Sequence, residues 1–237
     1  MAIVSAVKRT LVVGALAATL SAFSLSACTS TDSDAATPTA APAKPQRTEA
    51  ALKQALLAVE DLPEGYEVQP EAEEGSATPV ARSDDPKCAA FVRLINAERL
   101  PGSTASALVA FAGGPEGPFA EEWIEAMGDA AAVSDIQTQL RSSVDECGEV
   151  TVSLPGSGSA AMELTTVEAP AVGSNPVAYR MRAKGGALGG FEITFVHTGV
   201  ADTLLTMNFV AIDPSEIDGL LGAAHTKATR ALGAPTS

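Results

Sequence analysis

The segment FEITFVHTGVADTLLTMNFVAI, residues 191–212, decides the fold of this chain. Its first half has large side chains at every second position from Phe191 to His197, with Glu192 and Thr194 between them, which is the period of a β-strand with one buried face. The turn-forming letters GVAD then interrupt the pattern, and the apolar run LLTMNFVAI resumes it. Two strands joined by so short a break form an antiparallel hairpin.

Further strands of the same kind precede this hairpin. Breakers rich in Gly and Pro separate them, and the candidates are Ala105–Phe111, Val150–Leu154, Met162–Val167 and Val177–Ala183. Short connections between consecutive strands favour antiparallel pairing over crossover units. Together with the helices described next, they predict an α+β fold, a twisted antiparallel β-sheet with helices packed on one face.

Four segments have the apolar spacing and the end signals of helices. Asp85-Pro86 and Asp213-Pro214 each combine an N-cap residue with a proline at the first helical position. The predicted helices are Glu49–Val59, one that begins at Asp85, one from about Ala131 to Glu146, and one that begins at Asp213.

The N-terminus resembles the signal of a bacterial lipoprotein. Lys8 and Arg9 precede an uncharged apolar stretch that ends in the letters LSAC, the last of which is Cys28. The resemblance implies a signal peptide over residues 1–27 and lipidation of Cys28, which becomes the first residue of the mature chain. A transmembrane helix is the alternative, but the run is rich in Ala and Ser and shorter than the roughly 20 apolar residues that span a bilayer. We therefore expect a lipid-anchored protein on the extracytoplasmic face of the cell membrane.

Residues 28–47 read CTSTDSDAATPTAAPAKPQR and contain almost no apolar bulk. Such a segment cannot bury enough surface to order itself, so we predict a disordered tether after the lipidated cysteine. Residues 48–237 have the length of a single α+β domain.

The cysteine count fits this interpretation. The chain has three cysteines, and lipidation of Cys28 leaves Cys88 and Cys147 as a pair in an oxidising compartment. Both fall on the apolar faces of predicted helices, where they could meet. A metal site is the alternative, but two cysteines with no nearby histidine do not supply four ligands. The sequence predicts a disulfide between them.

The charge balance excludes one class of partner. The chain contains 15 basic and 29 acidic residues, and both basic residues of the signal would be lost on cleavage. A surface with this excess of acidic residues repels nucleic acid, and no nucleic-acid partner is expected. It also repels anionic lipid headgroups, so only the acyl chains should touch the membrane.

The order of elements resembles a known family. A short helix ends in LPEGY (62–66), a helix begins near Cys88, the letters SALVAFAGGPEGPFAEE (106–122) follow, and a helix that ends at Cys147 precedes the hairpins and a closing helix. This arrangement is similar to the actinobacterial lipoproteins related to the extracellular sensor domain of the mycobacterial kinase PknH. The resemblance covers about residues 48–232. It implies a twisted antiparallel sheet with helices, a cleft and ligand sensing, without the additional cysteines or the kinase of PknH itself.

One segment of that region is the candidate cleft. The letters GGPEGPF (113–119) lead to the only tryptophan, and Phe119, Trp123 and Met127 could form one wall of a binding site, since loops on a rigid scaffold often carry function. The alternative, which the spacing favours, is that Trp123 and Met127 are the buried face of a short helix.

Catalytic constellations are not evident in the sequence. His197 lies on the core side of its strand and His225 beside the apolar stripe of the last helix, so a structural role is expected for each. The carboxylates Glu121, Glu122 and Glu125 are interpreted as a solvated face of an acidic chain.

The expected function is therefore that of a non-enzymatic, sensor-like binding lipoprotein with no cofactor and no metal. Its partners would be the membrane, through Cys28, and an unknown small molecule or protein. The alternative is a carrier of an apolar envelope molecule, such as a lipid or glycolipid, which predicts a deep apolar pocket. An envelope hydrolase and a structural partner of another envelope protein are the remaining, less favoured classes.

Overall fold

The computed structural model describes residues 46–70, 78–156 and 158–233, and within these ranges the chain forms four α-helices and nine β-strands. The helices are α1 Glu49–Ala55, α2 Ala89–Ile95, α3 Ala130–Glu146 and α4 Pro214–Leu232. The strands are β1 Glu67–Val68, β2 Val80–Arg82, β3 Ala105–Ala112, β4 Phe119–Ala126, β5 Glu149–Leu154, β6 Gly158–Val167, β7 Ser174–Ala183, β8 Glu192–Val200 and β9 Thr203–Val210. The predicted signal peptide, Cys28 and the tether up to residue 45 lie outside the described residues.

All of the described strands form one antiparallel sheet. The order is β1-β3-β4-β9-β8-β7-β6-β5-β2, and each neighbouring pair is antiparallel. The predicted hairpin is β8–β9, and β9 also pairs along its whole length with β4. This long-range pairing joins the early strands to the late ones. The predicted antiparallel α+β fold is confirmed.

Helices cover both faces of the sheet and not one. On the first face, which we call the α4 face, Leu205 and Met207 of β9 share a core cluster with Leu221 of α4 and with α1. On the opposite face, the α3 face, Leu204 packs with Val133 of α3. The strands β8 and β9 bury side chains on both sides, and a sheet that is apolar on both faces needs cover on both.

The helix ends follow the cap signals. Asp85 accepts a hydrogen bond from the backbone N–H of Lys87, and a 3-10 turn at Pro86–Cys88 leads into α2. Asp213 caps α4 in the same way through the N–H of Ser215. The first helix ends at Ala55, earlier than predicted. The next residue, Leu56, has an extended backbone, and a separate 3-10 turn follows at Val59–Asp61.

The prediction of a short helix over Trp123 and Met127 is wrong. Phe119–Ala126 is strand β4, paired on one side with β3 and on the other with β9. Ala120 and Ile124 face the α4 side, but three glutamates in the same strand conceal the alternation. Strands β1 and β2 were not predicted either, since two or three residues are too few to show a pattern.

The structure contains the predicted disulfide. Cys88 and Cys147 are bonded, and both are buried. The bond joins the turn that leads into α2 to the residue that ends α3. It therefore ties the two helices of the α3 face together.

The last residue of the predicted tether is attached to the folded part of the chain. Arg47 Nε donates a hydrogen bond to Asp202 Oδ1 at 2.6 Å, and its Nη1 donates to the carbonyl oxygen of Leu232 at 2.9 Å. Asp202 lies between β8 and β9, and Leu232 is the last residue of α4. Arg47 thus fixes where the chain enters the domain.

Removal of the disulfide is expected to destabilise the protein. In the variant Cys88→Ala/Cys147→Ala, the unfolded chain regains the entropy of a loop that spans a separation of 59 residues. The chain-entropy relation gives a loss of roughly 4 kcal/mol in the free energy of unfolding. Urea denaturation followed by circular dichroism measures it. Reduction of the wild-type protein, which alters no other packing, is the matched control, and a loss below about 1 kcal/mol in both would contradict the loop-closure account.

Candidate functional site

A chamber of about 950 Å³ lies mainly on the α3 face, between the sheet and the helices, and its lining continues to Pro214 and Ile217 at the start of α4. Its floor is the sheet from β4 to β5, and α2 and α3 contribute to its roof through Phe91, Leu94, Ile95 and Leu140. The volume lies at the upper end of the range, about 300–1,000 Å³, that is usual for small-molecule sites.

Cross-strand register sets the order of the side chains on the floor. One row, from β4 across to β7, contains Glu121, Asn208, Phe195 and Tyr179. The next row contains Trp123, Thr206, His197 and Val177. Side chains in one row stand about 5 Å apart, so Glu121, Asn208 and Thr206 are neighbours at the β4–β9 side and the rings of Phe195 and Tyr179 are neighbours at the β8–β7 side.

Stacked rings form the aromatic side of the floor. Tyr179 lies parallel to Phe195 with ring centroids 4.8 Å apart, and it also stacks on His197 at 5.6 Å. From the roof, Phe91 of α2 meets Tyr179 edge to face at 5.6 Å. Offset stacks and edge-to-face pairs are the favoured arrangements of aromatic rings. This part of the chamber therefore consists of closely packed rings.

Glu121 is the centre of the polar side. Its Oε1 accepts a hydrogen bond from Trp123 Nε1 at 2.6 Å and one from Asn208 Nδ2 at 3.3 Å. Since Nδ2 of Asn208 is used in this way, the amide presents Oδ1 as an acceptor, and that buried oxygen has no partner among the described residues.

Burial changes the charge state of these carboxyls. Desolvation raises the pKa of Glu121 to about 7, although the hydrogen bonds from Trp123 and Asn208 oppose it. Further along β4, burial also raises the pKa of Glu125, whose Oε1 accepts a hydrogen bond from the backbone N–H of Leu100 at 2.8 Å. Glu121 is therefore divided between its neutral and ionised forms near neutral pH.

His197 lies in the chamber with one nitrogen engaged. Its Nδ1 is 2.8 Å from Thr206 Oγ1, whereas its buried Nε2 has no partner among the described residues. Burial lowers the pKa of the imidazole to about 4, so the ring is neutral at pH 7. A neutral imidazole nitrogen offers a ligand one more hydrogen-bonding position.

The interpretation of Glu121, Glu122 and Glu125 as a solvated face is wrong. The exposed fraction is 0% for Glu122 and 3% for Glu125, and Glu121 faces the chamber. Glu122 points to the opposite, α4 face, where its Oε2 accepts a hydrogen bond from the N–H of Leu57 at 2.7 Å and where burial raises its pKa to about 7. It acts in the packing of α1, away from the chamber.

The predicted cleft residues have different positions. Phe119 and Trp123 line the chamber, as does His197. Met127 is buried in the core under α3 with Val133. His225 is half-buried on α4, across the sheet from His197, so the two histidines do not meet.

Sequence reasoning did not single out Asn208 and Tyr179, and it assigned Glu121 to the surface. The alternation within the predicted strands was one usable signal for the chamber lining. It places Tyr179 on the same side of its strand as Met181, and Asn208 on the same side as Thr206. The missing information was that β4 is a strand and pairs with β9.

The described ranges contain neither a metal-binding cluster nor a membrane-spanning helix. Residues 46–70, 78–156 and 158–233 contain no group of three or more His, Cys, Asp or Glu side chains placed to hold a metal ion. In the same part of the chain, no helix is both long and apolar enough to cross a membrane.

Comparison with known proteins shows what the fold is similar to. No protein-family model and no curated protein sequence matches this chain. Among solved structures, the extracellular domain of PknH from Mycobacterium tuberculosis matches with a TM-score of 0.55 at 12% identity, over 79% of this chain and 98% of that one. An uncharacterised protein from Mycobacterium smegmatis, the Rv0999 ortholog, matches with a TM-score of 0.42 at 14% identity, over 71% and 92%. The first match confirms the predicted resemblance at the level of the fold.

The emission of the only tryptophan should report the charge of Glu121. Because Trp123 Nε1 donates to Glu121 and the pKa of that carboxyl is about 7, the emission maximum is expected to shift with a midpoint near pH 7. Fluorescence spectra between pH 5 and pH 9 measure the shift, and Glu121→Gln should abolish it.

Glu122→Gln is the matched control for this titration. It removes a neighbouring carboxyl whose pKa is also about 7 but which lies on the opposite face of the sheet. The shift should persist in this variant. Its loss there, or its survival in Glu121→Gln, would contradict the assignment to Glu121.

Proposed function

We propose that this protein is a lipid-anchored, extracytoplasmic binding protein that holds a partly apolar small molecule in the chamber without changing it chemically. The observation that carries the proposal is the chamber itself, a volume of about 950 Å³ between the sheet and the helices α2 and α3. A sensor-like role fits this geometry, since an anchored domain that binds a ligand can present it, or its own bound state, to a partner.

The lining supports binding of a molecule with an apolar body. Ring stacks around Tyr179 and Phe195 occupy one side, and Met162, Met181 and Ile193 extend the apolar surface. Ligand sites usually combine such surfaces with a few polar groups that fix orientation. Glu121, Asn208 and His197 are groups of that kind.

The surroundings of His197 support binding over catalysis. A histidine that activates a nucleophile needs a hydroxyl or thiol on one nitrogen and an orienting group on the other. His197 has the hydroxyl of Thr206 at Nδ1, but its Nε2 has no partner among the described residues. Its pKa of about 4 also makes it a weak base at neutral pH.

The anchor rests on the N-terminal sequence. The letters LSAC that end at Cys28 follow a basic start and an apolar stretch, which is the pattern of a lipoprotein signal. The fold similarity to an extracellular domain and the Cys88–Cys147 disulfide agree with an oxidising, extracytoplasmic location.

A carrier of an apolar envelope molecule is the second candidate. The volume and the apolar lining of the chamber favour it, because a deep apolar pocket is what a lipid or glycolipid carrier requires. The two candidates differ in release: a carrier must deliver its ligand to a membrane, whereas a sensor retains it.

A bulky side chain in the chamber should block binding. Val210 of β9 lines the chamber opposite Phe119, and Val210→Trp places a large ring there. Binding of the neutral apolar dye 1,6-diphenyl-1,3,5-hexatriene, measured by its fluorescence, should weaken at least about tenfold. Thr165→Trp, at an exposed position of β6 outside the chamber, is the matched control and should bind as the wild type does.

Failure of the wild-type protein to bind the dye, or equal binding by both variants, would exclude the chamber as a ligand site. If binding is found, transfer of a pyrene-labelled phospholipid between phosphatidylcholine vesicles separates the two candidates. Protein-dependent transfer that Val210→Trp abolishes identifies a carrier. Binding without transfer supports the sensor-like role.

The anchor has its own test. Cys28→Ala should prevent acylation, so the protein should leave the membrane fraction of an expressing bacterium, because the acyl chains are the only expected membrane contact. Immunoblots of membrane and soluble fractions measure the distribution, and mass spectrometry of the wild-type N-terminus shows the lipid. Retention of Cys28→Ala in the membrane fraction, with an unmodified N-terminus in the wild type, would contradict lipidation.

A further inference from the structure

The polar side of the chamber presents hydrogen-bond acceptors to the space that a ligand would occupy. Glu121 takes both of its described hydrogen bonds at Oε1, and no bond to its Oε2 occurs within the described residues. Asn208, directly opposite in the register, presents its unpartnered Oδ1. We call the Glu121 carboxyl and Asn208 Oδ1 together the acceptor end of the chamber.

The charged residues around the chamber are mostly acidic. Its lining, as far as the chain is described, includes five glutamates and a single basic residue, Arg180. Arg180 Nε is 3.1 Å from Glu192 Oε1, so this cation already has a counter-ion. An anionic headgroup would find repulsion and no free cation, whereas a cationic one would find a carboxylate.

His197 is an independent sign that this side of the floor is built for a ligand. Its side chain is only 5% exposed, it lines the chamber, and its Nε2 has no described partner. Buried polar atoms are nearly always paired in folded proteins, so this nitrogen leaves a hydrogen-bonding position open to a group in the chamber, whether water or ligand. Thr206 and Trp123 place the ring in the row beside Glu121 and Asn208.

From this placement we propose that the chamber takes an amphiphilic amine, a molecule with an apolar body and a protonated amino group that donates to Glu121 and to Asn208 Oδ1. An ammonium group has three N–H donors and no acceptor, which complements an end that contains acceptors. Its bonds to a carboxylate are charge-assisted and therefore stronger than those of a neutral hydroxyl. The apolar body lies over the rings of Phe195 and Tyr179. This inference rests on the proposed function and adds the chemical class of the ligand.

The near-neutral pKa of Glu121, about 7, agrees with this assignment. An ionised carboxylate in this half-buried position has no cation of its own in the described structure, and burial therefore favours the proton. A bound ammonium group would supply the missing counter-charge.

The test compares three ligands that share one twelve-carbon chain. Dodecylamine, dodecanol and dodecanoate displace 1,6-diphenyl-1,3,5-hexatriene from the mature chain, residues 28–237 with Cys28→Ser so that no acyl chain competes. Measurements at pH 8 and 150 mM salt keep the amine protonated, ionise most of Glu121 and screen the acidic surface. Dodecylamine should displace the dye at concentrations about tenfold lower than dodecanol, a ratio worth about 1.4 kcal/mol, and dodecanoate should be the weakest.

Glu121→Gln tests the position of the amino group. Gln keeps the shape and can still accept from Trp123 Nε1, but it removes the charge, so the preference for amine over alcohol should fall to less than about threefold. Glu116→Gln is the matched control, because it removes one charge from an exposed lining residue that precedes β4 and should retain the preference. Both variants are checked for wild-type circular dichroism before use.

Each result separates the inference from the proposed function. Displacement by all three ligands without preference, or tightest binding of dodecanoate or dodecanol, would overturn the amine while the chamber remains a binding site. An amine preference that Glu116→Gln reduces as much as Glu121→Gln would assign it to surface charge and overturn the inference as well. Absence of dye binding would overturn the proposed function together with it. The wild-type ranking decides the question even if a variant does not fold.

Discussion

The disulfide between Cys88 and Cys147 is the constraint on which the chamber depends. A helix of seven residues such as α2 has almost no stability of its own, because helix nucleation is costly and short helices are marginal in water. The bond fixes its start to the end of α3, which is longer and packs on the sheet through Val133 and Ile136. With α2 held there, Phe91 reaches Tyr179 and closes the aromatic side of the roof. Without the disulfide, packing alone would have to hold this short helix over an open volume.

The second constraint on the structure is that strand β4 places three carboxyl groups in the interior of the protein. Burial of a carboxyl without a hydrogen bond is costly, and each of the three accepts at least one. The donors, however, differ in kind. Glu122 and Glu125 bind the backbone N–H groups of Leu57 and Leu100, so they fix the path of connecting segments. Glu121 binds only side chains that line the chamber, and it fixes no loop. The same residue type thus has a structural use at two positions and, in our proposal, a binding use at the third.

Much of the architecture could be predicted because it follows from local sequence patterns. The β8–β9 hairpin, the caps at Asp85 and Asp213 and the cysteine pair each have a local cause that the letters show. Strand β4 could not be recognised, since its glutamates look like a solvated face until the strand is placed between β3 and β9. The cleft was expected with Phe119 and Trp123 in its wall, but the size of the chamber could not be predicted. Whether a face of a sheet is filled or hollow depends on how far the helices stand from it, and no spacing within one element records that distance.

The register between strands β4 and β9 determines both the packing of the core and the side chains that line the chamber. Side chains alternate between the faces of a strand, so a slip of one residue between β4 and β9 would move Glu121 to the α4 face and Ile124 to the chamber. The apolar residues Ala120 and Ile124 prevent this, because they are buried against the core that α1 and α4 complete. Asn208 is held in the same way by its neighbours Met207 and Phe209, which belong to that core. The packing of one face therefore determines which polar groups appear on the other. It follows that the acceptor end can change its chemistry by single substitutions at Glu121 or Asn208 without altering the pattern that specifies the fold.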